Sequence, residues 1–170
     1  WAPGAQPRKL PIPGFDGPNT IEAIDYLRDR KQAGDKVVII GGGLTGCEIA
    51  YDLALKGKKP VIVEMQDDIL KIMGVSAANS NMLREIIRYY GIPVYTSSRF
   101  EGVESADRLC VKISRDGAEE ALQADSVIMS VGYVPVRTVS DSLAAAGYPQ
   151  DRVHVIGDAH EGGNLRRVIG

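Results

Sequence analysis

The 170-residue sequence predicts an α/β fold, a parallel βαβ sheet with an antiparallel β-meander, and three observations carry that expectation. Apolar runs at Lys36 to Ile40 (KVVII) and Pro60 to Met65 (PVIVEM) flank a segment of helical periodicity, the pattern of parallel strands covered on both faces. Residues 100 to 123 break into short strand-like runs separated by turn residues. Finally, four glycines crowd the junction between the first apolar run and the helix, at positions 41, 42, 43 and 46. Hydrophobic residues at 44% and charged residues at 25% agree with a packed globular core and exclude disorder, collagen-like repeats and coiled coil.

The elements follow in order. Residues 1 to 18, with five prolines and three glycines, read as a connector. From Asn19 or Thr20 as N-cap, IEAIDYLRDRKQ spaces Ile21, Ile24 and Leu27 for a short surface helix, with Gly34 just beyond. Strand Lys36 to Ile40 enters the glycines, helix Leu44 to Lys56 ends at Gly57, and strand Pro60 to Met65 completes one βαβ unit. Ala77 to Tyr90 places Met82, Leu83, Ile86 and Ile87 on one side of a second helix, and strand Ile92 to Thr96 follows. The meander turns at Ala106-Asp107 and at Arg115-Asp116-Gly117. Ser126 to Val131 and Val153 to Ile156 read as further buried strands, and no internal repeat is present.

Several functions are excluded by simple counting. Twenty Lys and Arg against 22 Asp and Glu give a formal net charge of −2, so no basic field exists to hold nucleic acid. No apolar stretch approaches the span of a bilayer and no secretory leader is visible, so a soluble, cytoplasmic protein is expected. Trp1 in the place of a starting Met points to a piece of a longer chain. Cys47 and Cys110 form neither a CxxC pair nor a zinc cluster, and His154 and His160 lack partners at metal-ligand spacing. No metal site is expected.

The chemistry lies in KVVIIGGGLTGCEIA, where Gly41, Gly43 and Gly46 satisfy GxGxxG between strand and helix. Gly41 would permit the tight turn, Gly43 the approach of a pyrophosphate, and Gly46 close packing of helix on strand. A diphosphate there meets exposed N–H groups and the positive helix end without needing Lys or Arg. Glu64, 18 residues after Gly46, stands where a carboxylate accepts hydrogen bonds from both ribose hydroxyls and repels a 2′-phosphate, which favours NAD(H) over NADP(H). The competing reading is a glycine-rich turn with Glu64 on a solvated strand end. Cys47 and Glu48 occupy the places of the P-loop Lys and Ser/Thr, which argues against NTP hydrolysis, and no Tyr is followed four positions later by Lys. Strand, glycines, helix, strand and acid in that order define a Rossmann-like FAD/NAD(P)-binding fold.

KVVIIGGGLTGCEIAYDLALKGKKPVIVE, then ADSVIMSVGYVP and VHVIGDAHEGGNLRRVIG, resemble the pyridine-nucleotide-disulfide-oxidoreductase-like flavoproteins over nearly the whole chain. More narrowly, they are similar to the carboxyl-terminal part of NADH:flavin oxidoreductases of the 2,4-dienoyl-CoA reductase and 2-enoate reductase type. The resemblance implies an NADH domain inserted into an FAD domain: residues 1–18 as linker and FAD-domain remnant, 19–133 as the NAD(H)-binding domain, and 134–170 as a partial FAD-domain segment. Ala2-Pro3-Gly4 departs from the Ala-Thr-Gly usual at that strand end. A GxGxxG loop serves FAD as readily as NAD, and placement between FAD-like flanks assigns this one to the nicotinamide cofactor.

Residue by residue, the resemblance implies diphosphate contacts at Gly41, Gly43, Leu44, Thr45 and Gly46, a ribose contact at Glu64, and a close backbone approach at Val131 and Gly132. Glu48 would lie near the nicotinamide, or equally serve as a first-turn acid complementing the helix dipole. Met65 would line the adenine, or simply pack on the surface. Asp158 would hold the ribitol or pyrophosphate of FAD, or cap a strand-to-helix turn. Cys47 at a helix N-terminus could have a lowered pKa, or pack as a small side chain under the strand. The implied reaction is hydride transfer from NADH to flavin, with electrons passed through FMN and an iron-sulfur cluster in an upstream barrel to an unsaturated acyl substrate. No catalytic residue is expected in this chain, and isolated it would be inactive, binding NAD(H) but not holding FAD by itself. The alternative is a non-catalytic dinucleotide-binding or regulatory module.

Overall fold

The computed structural model describes residues 2–71, 76–105 and 109–162. It divides into two compact units, residues 9–131 and the pairing of residues 1–8 with 132–170. The expected linker 1–18 is thus shared between the units.

The larger unit is built on a five-stranded, wholly parallel sheet. Strands β2 (Thr20–Glu22), β3 (Lys36–Ile40), β4 (Lys59–Val63), β5 (Val94–Tyr95) and β9 (Ser126–Met129) lie in the order β2-β9-β3-β4-β5. Helix α2 (Leu44–Leu55) connects β3 to β4 and α3 (Ala77–Tyr89) connects β4 to β5, as parallel pairing requires a crossover. The continuous β-branched run has a direct cause: both sheet faces are buried. Val37, Ile39, Ile62 and Ile128 pack against Ile49, Ala50 and Leu53 of α2 and Leu83 and Ile87 of α3. On the opposite face, Val38, Ile40, Val63, Val127 and Met129 meet Phe100, Leu109, Val111 and Ile113.

Those last four belong to the meander, strands β6 (Ser98–Ser105), β7 (Leu109–Arg115) and β8 (Ala118–Ala124), paired antiparallel. The β7–β8 turn uses Asp116 and Gly117, both at positive φ (51° and 80°), the geometry that a two-residue hairpin matching strand twist demands. The turn expected at Ala106-Asp107 lies outside the described residues.

Three expectations are corrected. Thr20 to Glu22 form β2 rather than the start of a helix, because pairing with Val127, Ile128 and Met129 buries Thr20 and Ile21 at the sheet edge. The helix is only α1 (Ala23–Leu27), with Glu22 at its N-cap and Arg28 at its C-cap, and Asp29 at φ 53° turns the chain out of it. Within the supposed connector, residues 9–18 belong to the larger unit and Phe15 enters its core: Phe15 is buried in the meander-side cluster, Leu10 and Ile12 pack partly against it, and the Val103 amide donates to the Pro13 carbonyl at 2.9 Å. The strand expected at Val153 to Ile156 does not form, since no strand among the described residues pairs with it, and Ile156 is 81% exposed.

The smaller unit pairs β1 (Ala5–Pro7) antiparallel with β10 (Tyr133–Pro135), followed by helix α4 (Thr138–Ala145) and two 3-10 turns at Gln150–Arg152 and Gly157–Ala159. Among its described residues none is buried. No helix among the described residues is long and apolar enough to cross a membrane.

Candidate functional site

The loop between β3 and α2 shows why glycine stands at two of the motif positions. Gly41 has φ +108°, and a Cβ there would collide with the Ser130 carbonyl at the end of β9. A Cβ on Gly46, within the first turn of α2, would strike the Gly41 carbonyl oxygen. Gly43 is the α2 N-cap with φ −71° and ψ −173°, extended backbone that any residue adopts. Glycine at 43 is therefore not a requirement of the turn itself.

Leu44, Thr45 and Gly46 form the opening turn of α2, whose N–H groups have no intrahelical acceptor and face the positive end of the helix dipole. Leu44 also packs against the helix-side core, which fixes the turn. Glu48 is exposed one turn further along α2.

Glu64 follows β4 immediately and reaches back to the loop. Its Oε2 accepts the Gly42 N–H at 2.6 Å and its Oε1 accepts the Gln66 N–H at 2.8 Å. Each carboxylate oxygen has a second lone-pair site left to offer. Met65, next in sequence, is 72% exposed. Val131 is half-buried against the meander-side cluster.

Gly132 and Asp158 belong to the smaller unit. Gly132 has φ +87° and its carbonyl accepts the Arg8 N–H at 2.9 Å. Asp158 is exposed in the Gly157–Ala159 turn. The larger unit by itself brings Gly41, Gly43, Leu44, Thr45, Gly46 and Glu64 to one end of its sheet, the carboxyl end of β3 and β4, where open α/β sheets place ligands.

Gly42 joins the candidate site through its contacts, which the motif does not reveal, since it fills a free position of GxGxxG. Besides the N–H bond to Glu64, its carbonyl accepts the Leu70 N–H at 2.8 Å and the Cys47 S–H at 3.4 Å. A Cβ at 42 would lie 2.7 Å from Ile69 Cγ2 and 3.1 Å from Glu64 Cβ. Only three consecutive glycines hinted at this in the sequence.

Cys47 is fully buried, and burial pushes its thiol up to about 12, with the nearby Arg84 guanidinium opposing weakly and Glu64, Glu48 and Asp68 reinforcing the rise. The helix end does not activate it; the packing reading holds. No group of His, Cys, Asp or Glu among the described residues could hold a metal ion.

Parallel sheet, crossover helix and glycine turn at the sheet's carboxyl end together define a nucleotide-binding domain of the Rossmann type. The chain belongs to the pyridine nucleotide-disulphide oxidoreductase family, whose model matches residues 1–158. It is 37% identical over 169 residues to a cinnamate reductase of Clostridium sporogenes, covering 99% of this chain and 24% of the relative. It is 32% identical to an NADH oxidase of Thermoanaerobacter brockii, covering 96% of this chain and 25% of the relative. A 2-naphthoyl-CoA reductase structure shares the fold, with TM-score 0.81 at 24% identity over 98% of this chain and 24% of that one. The chain thus spans about a quarter of the length of these proteins.

Proposed function

We propose that this chain is the NADH-binding part of a flavin-dependent oxidoreductase of the enoate-reducing type, and that it holds NADH for hydride transfer to flavin. The observation that carries the reading is the Gly41–Gly46 turn, which frees the first N–H groups of α2 beside the Glu64 carboxylate. The diphosphate would sit on the N–H groups of Leu44, Thr45 and Gly46 after passing Gly43, where a side chain would obstruct it. Glu64 would accept the adenosine ribose hydroxyls through its remaining lone pairs and reject a 2′-phosphate by charge. Met65 would cover the adenine, and Glu48, Val131 and Gly132 would lie along the nicotinamide half.

The hydride chemistry belongs to the bound cofactors; these residues bind, orient and discriminate. Asp158 would approach FAD, while FMN and an iron-sulfur cluster would reside in other domains of the longer polypeptide. The similarity to a cinnamate reductase supports an α,β-unsaturated carboxylate or its thioester as the final acceptor.

Calorimetric titration with NADH, NADPH and FAD tests the assignment. NADH should bind more tightly than NADPH, and Glu64→Ala should weaken NADH about tenfold, the scale of a lost hydrogen bond to a charged group, and narrow that margin. Unchanged curves for both nucleotides would remove Glu64 from the site. Binding of FAD alone would reassign the glycine loop.

A further inference from the structure

The stretch from Glu64 to Leu70 closes over the glycine loop, and its far end is fastened by a residue from another element. Arg84, on α3, donates through Nη1 to Asp68 Oδ1 at 2.6 Å and through Nη2 to the Ile69 carbonyl at 2.5 Å. Asp68 Oδ1 in turn accepts the Ile69 N–H at 2.8 Å. Ile69 is buried, with its Cγ2 against Gly42, and the next amide, Leu70, donates to the Gly42 carbonyl. Leu70 adopts φ 58°, a conformation that a non-glycine residue keeps only where its surroundings impose it. The Gly42 peptide is consequently gripped at one end by Glu64 and at the other by a strand of chain that Arg84 anchors.

The contact with Asp68 alone would contribute little, because that carboxylate is 51% exposed. The bond to the Ile69 carbonyl is the stronger lever, being part-buried and donated by a charged group. A guanidinium suits this role better than an ammonium because its fixed fork reaches both acceptors at once. The same pairing commits the Arg84 charge to protein acceptors, and Lys71 is likewise paired with Asp67 at 2.5 Å.

We propose that Arg84 is a positioning residue for the nucleotide site: by clasping Asp68 and Ile69 it holds the Glu64–Leu70 segment so that Gly42 and Glu64 keep their binding geometry, without itself touching the nucleotide. The proposal rests on the NADH reading above. It also makes a statement about the protein alone, which allows the two to fail separately.

Hydrogen exchange and NADH titration of the 170-residue protein, as wild type, Arg84→Met and Arg84→Lys, provide the test. In Arg84→Met the amides of Gly42 and Leu70 should exchange about tenfold faster while those of Ile39 and Val127 in the sheet centre stay protected, and NADH affinity should fall by a similar factor. Arg84→Lys should recover part of both losses, since it retains the charge but not the fork. Faster exchange throughout the sheet would mean that Arg84 serves general stability, and unchanged exchange at Gly42 and Leu70 would mean there is no clasp; either result overturns the proposal. Altered exchange with undiminished NADH affinity would overturn the link from clasp to site. A wild type that binds no NADH would instead overturn the nucleotide reading and, with it, Arg84's role at that site.

Discussion

At the residue scale, the helix N-terminus beside Cys47 would lower a thiol pKa in an exposed setting, but here burial outweighs it. Transferring a thiolate into the packed interface beneath α2 costs more than a helix dipole returns, so the thiol stays neutral, with its pKa pushed up to about 12 from an ordinary 9.0. The sign of the linkage follows. The folded protein retains this proton where the unfolded chain gives it up, so the associated stability is complete below about pH 9 and declines as pH rises toward 12. At pH 8 iodoacetamide should therefore label the half-buried Cys110 and spare Cys47, with both labelled in urea; peptide mass mapping reads the result, and prompt labelling of Cys47 in folded protein would refute its burial. At the same scale the sequence made the constraint at Gly41 and Gly46 legible, since strand-to-helix turns of this spacing leave no room for a Cβ. It concealed Gly42, whose role depends on Ile69 and Leu70 arriving from a loop that no periodicity announces.

At the scale of elements, what could be read from sequence is what is determined locally or by burial on both faces. KVVII becomes β3 and SVIM becomes β9 because every residue after Lys36 in one, and every residue in the other, is buried. Thr20 to Glu22 carried a helical spacing that lost to a partner more than a hundred residues away, β9. VHVI had strand composition but no partner strand among the described residues, and composition alone supplies no ladder hydrogen bonds.

The truncated helix α1 is held by a tertiary tie rather than by its length. Tyr26 Oη donates to Asp52 Oδ2 on α2 at 2.6 Å, and Lys56 Nζ donates to the same oxygen at 2.7 Å. Burial, with help from Asp52, raises the Tyr26 pKa; Asp52 itself resists a desolvation penalty and is held low by the bonds from Lys56 and Tyr26. The Asp52 contribution is thus present above its ordinary 3.8 and lost as pH falls below it. Tyr26→Phe should cost about 1 kcal/mol in urea denaturation, whereas Lys56→Met, at an exposed pair, should cost less than about 0.5 kcal/mol. Equal losses would assign the tie to the ion pair instead.

At the scale of the whole molecule, the two units differ in what holds them. Every buried side chain among the described residues lies in 9–131, where two clusters sandwich the parallel sheet between helices and meander. The unit made of 1–8 and 132–170 closes a two-stranded ladder of three residues per strand and a helix of eight residues with no buried position. Short ladders and exposed helices derive little stability from themselves, since apolar burial is the dominant favourable term in folding. Limited trypsin digestion should accordingly cut at Arg137 and Arg152 first and leave a resistant fragment close to 9–131. NADH should lengthen the survival of that fragment, because a ligand bound only by the folded state adds to its stability. Mass spectrometry of timed aliquots reads both effects. Early cleavage within the sheet, or protection of Arg137 and Arg152 equal to that of the core, would show that stability is shared across the units and not concentrated around the glycine loop.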